Sequence, residues 1–170
     1  MQILSGKNRK SNEEIIEKVV LEQYNQYYRL VYSYVHNEAD AFDIVQNGAY
    51  KALRGSHTLR NPEYARTWVY RIMLNETFNF LKQPRFESYD YLQEARGNEA
   101  EFAADDDYTQ VDLQDALDAL PKQEKAIIVM KFFEDKKLEE IAEILNENLS
   151  TIKSRLYRSM KKLRIRLSDE

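Results

Sequence analysis

Cysteine is absent from this chain of 170 residues. That absence excludes a disulfide framework, a thiolate metal site and a cysteine nucleophile. Histidine is nearly absent too, with only His36 and His57. A histidine-rich zinc site is therefore not expected, and nothing in the sequence implies a metal or a cofactor. Glycine and proline number 4 and 3, a scarcity that favours helix over turn-rich architectures. No apolar run approaches the roughly 20 residues that a membrane span needs. The opening "MQILSGKNRKSN" holds too short an apolar stretch for a secretory signal. The expectation is an intracellular, soluble protein of one compact domain or two small ones.

What is abundant is charge, at 32% of residues, with a formal net of -4. Its order along the chain is uneven. From Glu87 to Asp118, Arg96 is the only base among many acids. From Ser150 to Leu167 the sequence carries Lys153, Arg155, Arg158, Lys161, Lys162, Arg164 and Arg166, and no acid. The middle stretch lacks a sustained helical period, so residues 84–110 read as an acidic linker opened by Pro84. A second reading is an acidic segment that shields or mimics a nucleic-acid path. The flanking blocks are strongly periodic. The expected fold class is all-α, with two small helical domains at 12–83 and 111–168 joined by the linker.

In the first block, Ile15, Ile16, Val19, Val20, Tyr27, Leu30, Val31 and Tyr34 recur at helical spacing. Ser11 with Glu14 fits a capping box at the start of that helix. A second helix follows, with Ala41, Ile44, Val45, Ala49, Ala52 and Leu53 on its buried side and Gly55 at its end. Asp40, Asp43 and Gln46 lie three residues apart on another face. Pro62 breaks the loop "SHTLRNPEYAR". A third helix carries Trp68, Val69, Ile72, Met73, Phe80 and Leu81, with Trp68, Ile72 and Leu81 expected in the core. Tyrosine is frequent, at 12 residues. It suits both the margin of a small bundle and a base-stacking surface, and composition leaves the two open.

The last block opens with Leu113, Ala116, Leu117 and Leu120 at i, i+3, i+4 and i+7, before Pro121. A second apolar helix, "KQEKAIIVMKFFED", comes next. Leu138, Ile141, Ala142 and Leu145 then mark a short helix, "NENL" a tight break, and Ser150 a candidate N-cap. On a wheel of the final helix, Ile152, Leu156, Met160, Leu163 and Leu167 fall within roughly 80°. Ser154, Arg158 and Lys161 lie opposite, and Ile165 is out of place on the polar side. A short helix, a tight turn and a basic helix make a helix-turn-helix pattern, whose second helix can enter a major groove. The start "STIKSR" offers hydroxyls and cations for phosphates and base edges. A membrane surface or a partner protein are the alternatives for such a basic amphipathic helix.

Four segments in order resemble the extracytoplasmic-function group of bacterial RNA polymerase sigma factors. "DAFDIVQ" is similar to the family's D-A-x-D-x-x-Q segment, and "TWVYRIMLN" to its T-W-L-Y-R-I-x-x-N segment. "ALDALPKQEKAII" resembles the L-x-x-L-P entry to region 4. "LEEIAEILNENLSTIKSRLYRSMKKLR" resembles its E-I-A…T-V-K-S-R-L…R…L-R segment. The resemblance covers about residues 20–167. Asn146 and Ser150 stand where the family often has glycine; asparagine tolerates the left-handed conformation and serine caps well. Asn79 stands for a frequent Asp, and Lys82 for Arg. "YRLVYSYVHNEADAFDIVQ", "RNPE" and "FFEDKKLEEIAEI" are most similar to the sigma-V type of Gram-positive bacteria.

The resemblance implies a cytoplasmic, non-enzymatic chain that binds core RNA polymerase and directs promoter-specific initiation. It implies a cell-envelope stress response under a membrane-anchored anti-sigma factor, which would hold the chain at the inner face of the membrane. Asp40, Asp43 and Gln46 would dock on the polymerase. The loop from Ser56 to Arg66 with Asn75 and Asn79 would capture bases of the −10 element, Tyr64 by stacking. Arg66, Arg71 and Lys82 belong to the same −10 surface, with Arg71 and Lys82 on phosphates. Asn75 also reads as a plain surface amide. Ser150, Thr151, Lys153, Ser154, Arg155 and Arg158 would grip the −35 element. The rival readings are a stand-alone helix-turn-helix regulator that does not bind core polymerase and an adaptor that uses the basic helix on protein.

Overall fold

The computed structural model describes residues 2–83 and 108–168. The chain divides into two compact units, 1–93 and 94–170. The expected linker, 84–110, lies outside the described residues apart from 108–110, which are helical. The described residues form helices and turns and no strand. No helix among them is long and apolar enough to cross a membrane.

The first unit is a three-helix bundle of α1 (Gln2–Val35), α2 (Glu38–Arg54) and α3 (Ala65–Leu81). The helix α1 runs through Ser11, so Ser11 and Glu14 do not cap its start. The preceding residues hold no proline, and nothing local stops the helix there. Two features turn α1 into α2. His36 takes a left-handed φ of 53°, and the Asn37 side chain accepts the Asp40 backbone N–H at 2.9 Å. Asparagine is well suited to this cap. The core joins Tyr27 and Leu30 of α1 to Val45 of α2 and Met73 of α3, all fully or almost fully buried. Tyr27 meets Tyr70 edge-on at 5.9 Å.

The seating of α3 differs from the expectation. Val69, Tyr70, Met73, Leu74 and Thr77 are buried, whereas Trp68, Ile72 and Leu81 are only half-buried. This helix carries apolar residues around most of its circumference, so its sequence does not single out one inward face. Its close neighbour α2 helps to select it. Gly48, not Ala49, faces the core, and a Cβ at Gly48 would collide with the Met73 sulfur.

The second unit contains α4 (Tyr108–Asp118), α5 (Lys122–Ile128) with a π turn over Val129–Phe133, α6 (Leu138–Leu145) and α7 (Leu149–Ser168). Pro121 precedes α5, and its carbonyl accepts the Lys125 N–H at 2.9 Å. The π turn is closed by Glu134 N–H on the Val129 carbonyl at 3.1 Å. Lys125 is almost fully buried, and its Nζ pairs with Asp118 at 2.6 Å, tying α5 to α4. The break "NENL" is a Schellman turn. Asn146 adopts φ 53° and ψ 48°, the Glu147 N–H donates to the Ala142 carbonyl, and the Asn146 N–H to that of Glu143. Because α7 begins at Leu149, Ser150 lies inside its first turn and Asn148 takes the preceding cap position. On α6, Ile144 is buried and Leu145 half-buried.

Gly48→Ala should lower the unfolding midpoint of the first unit. The flexible end of Met73 must move within the core to admit the Cβ, which slightly outweighs the gain in helix propensity, for a net loss of up to about 1 kcal/mol in urea titration. At the Schellman turn, Asn146→Gly should cost nothing, while Asn146→Ala should cost about 1 kcal/mol, the strain of a left-handed alanine. Equal midpoints for the two Asn146 variants would contradict that strain.

Candidate nucleic-acid interface

In the first unit, the segment between α2 and α3 is held by two asparagines. Asn12 of α1 donates through Nδ2 to the carbonyls of Ser56 and Leu59, at 3.0 and 3.1 Å. Asn61 Oδ1 accepts the Glu63 N–H at 3.1 Å and starts the short turn Pro62–Tyr64. Proline suits the first position of such a turn because its φ is preset and its missing donor is not needed. Tyr64 then stands 51% exposed at the end of the turn. Arg66 is exposed, and its Nη2 lies 3.3 Å from Glu22 Oε2 on α1.

Along α3, Arg71, Asn75, Asn79 and Lys82 follow at intervals of four, four and three residues, so they share one edge. Asn75, Asn79 and Lys82 are exposed and Arg71 is half-buried. The unit therefore places the candidate loop at one end of α3 and an amide-and-cation edge along it. Asp43 and Gln46 are exposed on α2, while Asp40 is half-buried in its first turn. Exposed Phe42 and Tyr50 accompany them on α2. Neither belongs to the buried side expected for α2, and both stand on its outward face with Asp43 and Gln46. On α1, burial, then Glu38 and Tyr24, push the Tyr28 phenol above its ordinary pKa.

In the second unit, α7 packs against α4, α5 and α6. Ile152 and Leu156 are buried as expected, but Ser159 is fully buried and Met160 is 39% exposed. Serine is small, and its hydroxyl is satisfied by the Arg155 carbonyl at 2.6 Å, so the helix turns its seam toward Ser159. Hydrophobicity alone assigns that seam to Met160. Nothing in the structure explains the exposure of Ile165. Ser150, Lys153, Ser154 and Arg158 are exposed and Thr151 is half-buried. Arg155 differs from them. It is half-buried and held by Gln123 Oε1 at 3.1 Å and Glu147 Oε1 at 3.4 Å. Tyr157, which the sequence reading did not single out, is 74% exposed among the cations. Its exposure beside Ser154 is the signal that the wheel offered. Among the described residues, no group of histidines and carboxylates is placed to hold a metal.

Comparison with known proteins agrees with this two-part arrangement. The family model of sigma-70 region 2 matches residues 19–86, and that of sigma-70 region 4 matches residues 110–163. The chain is 39% identical over 170 residues to the RNA polymerase sigma factor SigV of Bacillus subtilis (strain 168), covering 96% of this chain and 98% of that protein. It is 26% identical to the ECF RNA polymerase sigma factor SigW of the same organism, covering 95% and 93%. Among solved structures, CnrH in complex with the cytosolic domain of CnrY superposes with a TM-score of 0.71 at 21% identity, covering 99% and 97%. The sigma factor RpoE in complex with the anti-sigma factor NepR from Bartonella quintana gives 0.64 at 20% identity, covering 89% and 96%. These two likenesses show the fold.

Asn12→Ala should remove both amide donors that hold the Ser56–Leu59 segment, costing about 1–2 kcal/mol. Trp68, the only tryptophan, lies beside Gly55 at the start of that segment. Its fluorescence in a urea titration checks the prediction, and an unchanged midpoint would mean that the segment holds without α1.

Proposed function

We propose a division of labour within this chain, which belongs to the sigma-70 family of RNA polymerase sigma factors, in its extracytoplasmic-function group. The chain is an alternative sigma factor in transcription initiation, a regulator and not an enzyme. In our reading, residues 12–83 bind core polymerase and the −10 element, 111–168 bind the −35 element, and 84–110 tether them. Asp40, Asp43 and Gln46 dock α2 on the polymerase, with Phe42 and Tyr50 adding apolar area. Tyr64, Asn75 and Asn79 take single-stranded −10 bases by stacking and amide hydrogen bonds. Arg71 and Lys82 meet phosphates, and Arg66 belongs to the same −10 surface.

The observation that carries the reading of the second unit is the outward face of α7. Ser150, Lys153, Ser154 and Arg158 stand exposed on a helix seated behind a Schellman turn. Hydroxyls and cations at the start of such a helix match base edges and phosphates in a major groove. Thr151 and Arg155, less exposed, line the same N-terminal end, and Tyr157 supplies apolar contact. Both solved structures of this fold named above hold a partner, the cytosolic domain of CnrY in one and the anti-sigma factor NepR in the other. This chain is likewise held by an anti-sigma factor. In this reading, which rests on the motif resemblance to the sigma-V type, that factor is membrane-anchored, holds the chain at the inner face of the membrane and serves a cell-envelope stress response.

Polymerase holds both units on one promoter, so two weak contacts act together. The acidic net charge opposes long-range attraction of the free chain to DNA. Run-off transcription from a library of stress promoters, with and without core polymerase and this chain, tests the reading. Initiation should require both, and the free chain should bind the same promoters weakly. Tight, specific binding by the free chain would favour a stand-alone regulator instead.

A further inference from the structure

We propose that Glu124 is a positioning residue that withholds positive charge of α7 from DNA. Glu124 lies in the first turn of α5 and is only 6% exposed. Its Oε2 accepts from Lys162 Nζ at 3.1 Å, and its Oε1 stands 3.9 Å from Arg158 Nη1. A buried carboxylate is costly unless cations compensate it, so the α5 acid draws the flank of α7 toward itself. The neighbouring bonds of Arg155 to Gln123 and Glu147 work in the same direction.

The cations of α7 are thereby sorted. Lys162 is held at hydrogen-bond distance. Arg158 is at the longer distance and its side chain is 60% exposed, so it keeps its reach toward DNA. Lys153 and Lys161 are exposed and enter no ion pair among the described residues. Sequence-independent affinity grows with the number of phosphates that a protein neutralises. A cation already paired with a buried carboxylate adds little to that number. Glu124 thus keeps the blind electrostatic grip of α7 low while leaving the face around Ser154 and Lys153 open for base edges. The inference rests on the assignment of α7 to the −35 element.

The test uses the full chain bound to core RNA polymerase, with labelled promoter and non-promoter duplexes titrated across a salt series. Glu124→Gln is isosteric and neutral. It should steepen the slope of log affinity against log salt by about one. It should raise non-promoter affinity about five- to tenfold near 0.1 M salt. Lys162→Gln alone should leave the slope unchanged, yet cancel the gain when added to Glu124→Gln. A Glu124→Gln protein that keeps the wild-type slope overturns the inference, whatever happens to its melting temperature. So does a Lys162→Gln change that flattens the slope equally in both backgrounds. Lys153→Ala and Lys161→Ala separate the two levels. If they weaken promoter binding while Glu124→Gln changes nothing, the inference alone fails. If they leave promoter binding intact, the −35 assignment fails and takes the inference with it.

Discussion

The seating of α7 on the second unit is the constraint on which the presentation of its charge depends. A helix so rich in bases can join a core only along the narrow stripe that it keeps uncharged. Here that stripe runs through Ile152, Leu156 and Ser159. Rotating the helix by one position would carry Lys153 or Arg155 into the core without a partner, a cost of several kcal/mol per buried ion. The rotation is therefore tightly defined, and it decides at once which side chains face outward. The Schellman turn at Asn146 fixes where the helix begins, so the turn and the stripe together aim its first residues.

The two charged side chains that are buried among the described residues of this unit are both compensated. Glu124 and Lys125 are adjacent on α5 and both are buried, yet they serve different ends. Lys125 reaches Asp118 on α4 and closes the unit. Glu124 faces α7 and meets Lys162 and Arg158. Two neighbouring residues of opposite sign thus join three helices. The first unit relies on amides for a comparable purpose, with Asn12, Asn37 and Asn61 each satisfying backbone groups at a helix end or loop. Such bonds hold a loop or a helix end in place without adding charge to the surface.

The tyrosines show how one residue type divides between roles. Tyr27 and Tyr70 are fully buried and pack edge-on. Tyr50, Tyr64 and Tyr157 stand exposed on α2, the loop and α7. Composition could not separate these groups, because an amphipathic ring tolerates either place. Local order of charge was more informative than its total. The acidic net hides a basic helix, and its cations and small polar start stand outward in the fold.

The all-α class, the helices of both units, the helix-turn-helix and the basic face of α7 were determined by the sequence. Each follows from local periodicity, from turn chemistry or from the order of charges, and these act over a few residues. The family resemblance was likewise legible, because four motifs kept their order. Tertiary structure decided what periodicity left degenerate. It turned Tyr70, Leu74 and Thr77 of α3 inward in place of Trp68, Ile72 and Leu81, since a helix apolar on most sides takes its inward face from its neighbours. It chose buried Ser159 over Met160, since fit against other helices outweighs hydrophobicity at a close seam. It also tied Arg155 to Gln123 and Lys162 to Glu124 on α5, more than thirty residues away in sequence and brought close by packing.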